Sequence, residues 1–370
     1  MKLLAADLLL NAPDPVTGRA ADPHERIAEA VRGAVWAEEA GFDAIGIGER
    51  HAAPFLSSAP TVLLSHIAAL TTRVRLVSTV TVLPLLDPVR VAEDFATLDS
   101  LSGGRVDVII GKGNDPVQNR LFGYDLDDQW RLNREKYELL RRLWHEQGVT
   151  WDGGQDAVRP PLTDATTLPR PVQQPIPVWH GSASSTESTE LAARFGEPVF
   201  SANAFHPTKK YTDLVLHYRE RLATHGHDPE SGLVGVGCGG LYVAENSQDA
   251  VEAMRPRYRA FLQSPAAKHN APEFTDVEGA IERGPLLVGS PQQVVEKLAR
   301  WDEEFGGVEV LQVGLQGLGV PAGEYRATLE LFLDRVAPVL RAELPSRVWP
   351  ATRPDDGQPD DGQPDTGAAA

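Results

Sequence analysis

Eight short apolar runs, each parted from the next by a stretch of helical periodicity, constrain this chain more than any other feature. They lie near residues 2–10, 43–48, 74–83, 106–111, 176–179, 198–202, 233–243 and 308–314. The runs are apolar throughout rather than at alternate positions, as in strands covered on both faces. Helical patterns fall near 25–40, 60–71, 88–101, 129–146, 187–195, 208–224, 247–262, 291–304 and 323–343. The clearest begins at Pro88. Asp87 stands at its N-cap, Val91, Phe95, Leu98 and Leu101 recur at helical spacing, and Gly103 stops it. Strand and helix alternating eight times predict a (β/α)8 barrel. The rival, a doubly wound sheet, would open its first strand-to-helix turn on Gly-x-Gly-x-x-Gly, a motif that position lacks.

A chain of 370 residues, 42% of them hydrophobic, is large enough to close one such core. The barrel domain is expected over 1–344. Two segments break its rhythm: 148–174 after strand 4, rich in Pro, Thr and Asp, and 263–289 after strand 7. Long loops of this kind in a compact domain often act as lids. From 345 onward a doublet of Asp-Asp-Gly-Gln-Pro leaves too little apolar surface to pack, so 345–370 reads as a disordered acidic tail. The net charge of −17 opposes general binding to nucleic acid or to an anionic membrane. A single cysteine, Cys238, excludes an intrachain disulfide and a multi-cysteine metal site. No His, Asp and Glu cluster has metal-ligand spacing, so no metal is expected. The short apolar run at the amino terminus is broken by Asp7 and soon followed by Pro13 and Asp14, which fits a buried first strand better than a leader. No run approaches the ~18 apolar residues of a membrane span. A cytoplasmic protein is the expectation.

Parallel barrels keep their chemistry at the carboxyl ends of the strands. The second run ends in Glu49, Arg50 and His51. Three ionisable residues there are costly unless they face a cavity or one another. Arginine is a fixed cation, whereas histidine exchanges protons near neutral pH. A Glu–Arg ion pair at the barrel rim is the plain structural reading, and a catalytic corner is the functional one. The third run ends in Ser78, Thr79, Val80 and Thr81, small residues suited to close ligand contact and equally to strand formation. The fourth ends in Gly111, Lys112, Gly113 and Asn114. Its glycines allow close backbone approach, and its lysine suits a phosphate. This is not a Walker loop. The fifth ends in Gly181, Ser182, Ala183, Ser184 and Ser185 before a helix. Ser184 or Ser185 can cap that helix, or the loop's amides and hydroxyls can cradle an anion. His66 in an apolar helix reads as structural, and His225 and His227 in a turn read as solvated.

Taken together these pieces resemble the bacterial luciferase-like flavin-dependent monooxygenase family, over roughly residues 2–343. Three blocks carry the resemblance in order. The first holds Gly-Phe-Asp-x6-Glu-Arg-His, then Leu-Pro-Leu-Leu-Asp-Pro-Val-Arg-Val-Ala-Glu-Asp and Leu-Asp-Ser-Leu-Ser-Gly-Gly-Arg. The second is Pro-Val-Trp-His-Gly-Ser-Ala-Ser-Ser-Thr-Glu-Ser. The third is Leu-Val-Gly-Ser-Pro-Gln-Gln-Val-Val-Glu-Lys-Leu with Phe-Gly-Gly-Val-Glu-Val-Leu-Gln-Val.

The resemblance implies FMN at the carboxyl ends of the strands. Thr79 and Val80 match the pair joined by a cis peptide beneath the isoalloxazine ring. Lys112 stands where luciferase has an arginine near the flavin phosphate, with Asn114 on the same strand end. Gly181, Ser182, Ser184 and Ser185 match the phosphate loop. Luciferase carries Glu-His-His after strand 2. Here Arg50 takes the place of the first, catalytic histidine and His51 that of the second. A guanidinium cannot serve as a general base. Proton transfer then falls to His51 or to the substrate, while Arg50 holds an anionic substrate or stabilises a peroxide anion. The implied activity takes reduced FMN from a separate flavin reductase, adds O2 to the flavin, passes one oxygen atom to a small organic substrate and releases the other as water. The alternatives are an F420-dependent hydride-transfer enzyme on the same barrel, a flavin-binding protein without turnover, and a non-flavin barrel acting on a phosphorylated substrate. A homodimer is also implied, with helices 60–71 and 88–101 as a contact face.

Overall fold

A computed structural model of the protein describes residues 1–13, 19–154, 159–183, 185–317 and 319–349. Twelve strands are present among them: β1 (Lys2–Asp7), β2 (Ala44–Ile47), β3 (Arg75–Val82), β4 (Val106–Gly111), β5 (Val149–Trp151), β6 (Leu162–Ala165), β7 (Val178–Ser182), β8 (Val199–Ser201), β9 (Val234–Val236), β10 (Gly240–Val243), β11 (Leu286–Gly289) and β12 (Val310–Gly314). Eight of them close a parallel barrel in the order β1-β12-β9-β8-β7-β4-β3-β2, one from each predicted run.

Helices α1 (Pro23–Ala40), α2 (Pro60–Leu70), α3 (Pro88–Ser102), α4 (Pro116–Phe122), α5 (Gln129–His145), α6 (Thr186–Phe195) and α7 (Thr208–Thr224) accompany the first part of the barrel. They are followed by α8 (Ser247–Gln263), α9 (Pro265–Asn270), α10 (Val277–Glu282), α11 (Pro291–Phe305), α12 (Ala322–Arg335) and α13 (Ala337–Glu343). Helix α3 shows how local sequence sets the bounds. The Asp87 carboxylate accepts the Val89 amide at 2.8 Å, and Gly103 ends the helix with φ of 66°, a left-handed conformation that glycine adopts without strain.

The strand interiors are layered. Leu4, Ala44, Val77, Ile109, Trp179, Phe200 and Val310 form one buried cluster inside the barrel. Two residues further along their strands, alternation brings Ala6, Gly46, Thr79, Gly111 and Gly181 to the same face. Bulky side chains therefore fill the barrel's lower part, and small ones line the part nearest the carboxyl ends.

Three expectations need correction. The run 233–243 is two strands, because Gly237 and Gly239 pass so near the carbonyls of Ala202 and Ala204 that a Cβ would lie 2.4 and 2.5 Å from those oxygens. Strand β9 stays in the barrel, while β10 leaves it and pairs in parallel with β11. Segment 263–289 lies between the seventh and eighth barrel strands as expected, but it is structured rather than a plain loop, since it holds α9, α10 and β11. Buried Lys297 fastens it by donating to the carbonyls of Ile281, Gly284 and Leu286. The described part of 148–174 contains the β5–β6 hairpin and is strapped along the body. Arg159 pairs with Asp87 at 3.1 Å, Arg170 bonds the Leu143 and Trp144 carbonyls, and Gln173 bonds Asp99 and the Val106 carbonyl.

The third correction concerns the tail. Residues 345–349 dock at the amino end of the barrel. Arg347 pairs with Glu309 at 2.5 Å, the Trp349 indole donates to Asp107 at 3.0 Å, and Val348 and Trp349 pack on the interior cluster. The apolar pair supplies the anchor that the polar sequence after it lacks. Residues 350–370, the rest of the predicted disordered tail, lie outside the described residues.

Candidate functional site

The carboxyl ends of β2, β3, β4 and β7 hold the residues singled out from sequence. After β2 the chain places Glu49, Arg50 and His51 in distinct roles. Glu49 is 4% exposed. Its carboxylate accepts the Val82 amide at 2.8 Å and the His51 ring nitrogen Nε2 at 2.6 Å. A carboxylate only accepts, so the contact puts a proton on Nε2 and leaves Nδ1 as the second functional nitrogen of the ring. The Phe122 ring meets His51 edge-on, with centroids 4.6 Å apart. The expected Glu–Arg ion pair is absent. Arg50 instead donates to the side-chain oxygen of Asn114 at 2.8 Å and lies over the Phe55 ring at 5.5 Å. Burial pulls the Arg50 pKa down, and the Asp115 charge opposes that pull.

At the end of β3 the Thr79–Val80 peptide is cis, as the family resemblance implies. Thr79 and Val80 lie across the barrel because glycines make room for them. A Cβ on Gly46 would fall 2.6 Å from the Thr79 methyl. One on Gly111 or Gly181 would fall 3.0 or 3.2 Å from the Val80 methyls. The Thr79 hydroxyl is buried with no hydrogen-bond partner among the described residues.

At the end of β4, the Lys112 ammonium donates to the Gly113 carbonyl at 3.2 Å and to the side-chain oxygen of Gln129 at 3.3 Å. It lies 5.3 Å over the Trp130 ring. Burial lowers its pKa, and the Glu187 charge raises it. Gln129 in turn donates to Asn119 at 3.0 Å. Sequence reasoning missed Asn119 and its neighbour Gln118, since α4 was not predicted. Both are buried, and neither polar atom of the Gln118 amide has a partner among the described residues. Gly113 has φ of 72°, and a Cβ there would meet the Gln118 amide at 2.4 Å.

The loop after β7 leads into α6. Ser185 occupies the N-cap position, yet its side chain makes no capping bond. The Ser185 hydroxyl is buried and has no partner among the described residues. Ser182 is buried and donates to the Ser185 carbonyl at 2.9 Å. Ordinary capping therefore does not account for these serines. The first amides of α6 carry the helix's positive end, and Glu187 in its first turn is the acid that bears on Lys112. Gly181 underlies Val80 as described. Ser184 lies outside the described residues.

The structure thus brings Glu49, His51, Arg50 and Asn114 into one contiguous group, and Lys112, Ser182 and Ser185 into another around the start of α6, with Thr79, Val80 and Gly181 between them. Asn203 after β8 was also missed. It is fully buried, donates to the Gly237 carbonyl at 3.2 Å, and its side-chain oxygen has no partner among the described residues. A polar residue directly after a buried strand was the available signal. Among the described residues, no group of three or more His, Cys, Asp or Glu side chains is placed to hold a metal, and no helix is long and apolar enough to cross a membrane.

A family model for luciferase-like monooxygenases matches residues 1–307. The 4-hydroxyprotoasukamycin monooxygenase of Streptomyces nodosus subsp. asukaensis is 26% identical over 326 residues, 84% of this chain and 86% of that protein. A solved monooxygenase from Streptomyces bottropensis superposes with a TM-score of 0.75 at 26% identity, covering 91% of this chain and 99% of its own. Two more distant structures share the fold. One is the oxygenating constituent of 3,6-diketocamphane monooxygenase from Pseudomonas putida, solved with FMN, at 21% identity, TM-score 0.72 and coverage of 91% and 98%. The other is an F420-dependent secondary alcohol dehydrogenase, at 17% identity, TM-score 0.69 and coverage of 91% and 98%. The chain belongs to the luciferase-like monooxygenase family.

Proposed function

We propose that this protein is a monooxygenase that uses reduced FMN and O2 to oxygenate a small organic substrate. The observation that carries the reading is the start of α6. An uncapped helix end and a buried, unpartnered Ser185 hydroxyl meet there, and Lys112 stands at the end of the adjacent strand β4, where the charge of Glu187 in the first turn of α6 acts on it, which suits a phosphate dianion. Beside it, Val80 and the glycines beneath it offer a small, apolar floor for a planar ring. The residues present therefore fit FMN, with Lys112, Ser182 and Ser185 toward its phosphate. Bound reduced flavin supplies the electrons that activate O2. The chain's own residues bind and orient the reactants, exclude water and manage the proton. His51, turned by Glu49, accepts or returns a proton at Nδ1, and Phe122 covers its ring.

Titration with oxidised and with reduced FMN tests the reading, and binding of neither overturns it. An F420-dependent hydride transfer is the second reading, favoured by the fold shared with the F420-dependent dehydrogenase. Anaerobic turnover with F420 would select it. Retention of FMN with no oxygen consumption under any reductase would select a flavin-binding protein without turnover.

The proposal carries two partners. A separate flavin reductase supplies FMNH2. A second copy of the chain covers α2, which has no Asp, Glu, Lys or Arg and exposes Val62 and Leu70, together with Leu101 on neighbouring α3.

A further inference from the structure

Arg50 is the unexplained charge of this site. Acids outnumber Lys and Arg by 52 to 35, so a half-buried arginine has ample choice of carboxylate. Elsewhere buried and half-buried arginines take one or spend several donors on backbone carbonyls. Arg26 pairs with Asp7 at 2.6 Å and Arg75 with Asp107, while Arg105 and Arg170 bond the carbonyls around them. Arg50 does neither. Its side-chain hydrogen bond goes to the neutral amide of Asn114, and no ion pair joins it to an acid among the described residues. The Asp115 charge favours its cation from outside ion-pair distance, while that carboxylate accepts the Val117 amide at the start of α4. A guanidinium has five donors in a planar fork suited to a carboxylate or a similar anion. Lys112 also lacks an acid partner among the described residues, but it ends the strand next to β7 and feels the charge of Glu187 in α6, which assigns it to that corner.

The surroundings of Arg50 are apolar and open. Its guanidinium lies over Phe55, and Phe55 is bridged to Leu10. Leu8, close beneath Gly48, and Leu10 are 41% and 42% exposed. On the other side Phe122, packed on His51, is 39% exposed. One cation with no acid partner among the described residues is thus set within an exposed apolar rim, adjacent to the Glu49–His51 pair.

We infer that the substrate is an amphipathic organic anion, its carboxylate or comparable anionic group held by Arg50 and its hydrocarbon body laid on Leu8, Leu10, Phe55 and Phe122. This rests on the monooxygenase reading for the reaction, but the recognition it describes is separately measurable.

The test is calorimetric titration of the full chain, with and without FMN, using two matched pairs: decanoate against decanol, and naphthoate against naphthalenemethanol. Each anion is expected to bind at least about tenfold more tightly than its alcohol, the scale of one charge-assisted contact. Arg50→Gln should erase that preference, Arg50→Lys should keep part of it, and FMN affinity in the same samples should change by no more than about twofold. Melting curves establish that both variants are folded. Equal binding of anion and alcohol to the native protein, a preference that survives in Arg50→Gln, or binding of none of the four probes overturns the inference. Loss of FMN binding alone, with the Arg50-dependent preference intact, would instead overturn the flavin reading and leave this one standing.

Discussion

Replacing Lys112 by glutamine separates phosphate recognition from every other contact a flavin would make. Two unit charges about 4 Å apart at an effective dielectric near 20 attract by roughly 4 kcal/mol. Part of that is lost in desolvating the ions, and a charge-assisted hydrogen bond nets about 1.5–3 kcal/mol. Lys112 is half-buried, with two neutral acceptors and no ion-pair partner among the described residues, so little internal interaction must be given up. Lys112→Gln should therefore weaken FMN by about 10- to 150-fold. Riboflavin, which has the same ring and no phosphate, should bind the native protein and the variant alike.

The sign with pH follows from the same geometry. Burial depresses the Lys112 pKa, and only the protonated form binds phosphate. The native preference for FMN over riboflavin should thus fall as pH rises through that lowered value. It should also fall on the acid side, as the phosphate loses its second charge near pH ~6. In Lys112→Gln the alkaline fall should vanish. Fluorescence titration of both flavins across pH measures all of this. An equal loss of FMN and riboflavin affinity, or no native preference for FMN, would refute the reasoning.

Three further outcomes are expected. Glu49→Gln keeps the shape of the side chain but must accept the Val82 amide with its oxygen, so its amide donates to His51 and moves the ring proton to Nδ1. Nitrogen NMR shifts of His51 should report the exchanged tautomer, and oxygenation should drop by about 10²- to 10⁴-fold with FMN affinity retained. Trp349→Ala removes a donor from buried Asp107 and an apolar anchor from the barrel's amino end. It should cost about 2 kcal/mol, read as a fall in Tm of about 3 °C. Leu101→Glu places a charge on the exposed apolar face shared by α2 and α3, and light scattering on an eluting column should show monomer in place of dimer.

Much of the molecule was legible because its signals are local. The double-faced burial of a barrel strand writes a continuous apolar run, and all eight runs became barrel strands. The cap and stop of α3, Asp87 and Gly103, act within one turn and were read directly. Failures came where distant contacts decide. Nothing within 233–243 announces that Gly237 and Gly239 must pass the Ala202 and Ala204 carbonyls, so two strands looked like one. Leu286–Gly289 is too short to be distinguished without its partner β10. Val348 and Trp349 looked lost in a polar tail because the cluster that receives them comes from seven other segments of the chain.

The site divides along the same line. The sequence by itself determined which strand ends carry Glu49, Arg50, His51, Thr79, Lys112 and the serines, since a strand's carboxyl end is a position in the chain. Only the tertiary structure decided who faces whom. It paired Glu49 with His51 instead of Arg50, left the Ser185 hydroxyl off its own helix, set Lys112 at the strand end next to β7, and brought in Gln118, Asn119 and Asn203. Hydrogen bonds reach about 3 Å and are chosen by the closure of the barrel. Residues 64 positions apart, such as Arg50 and Asn114, become partners only once that closure is made.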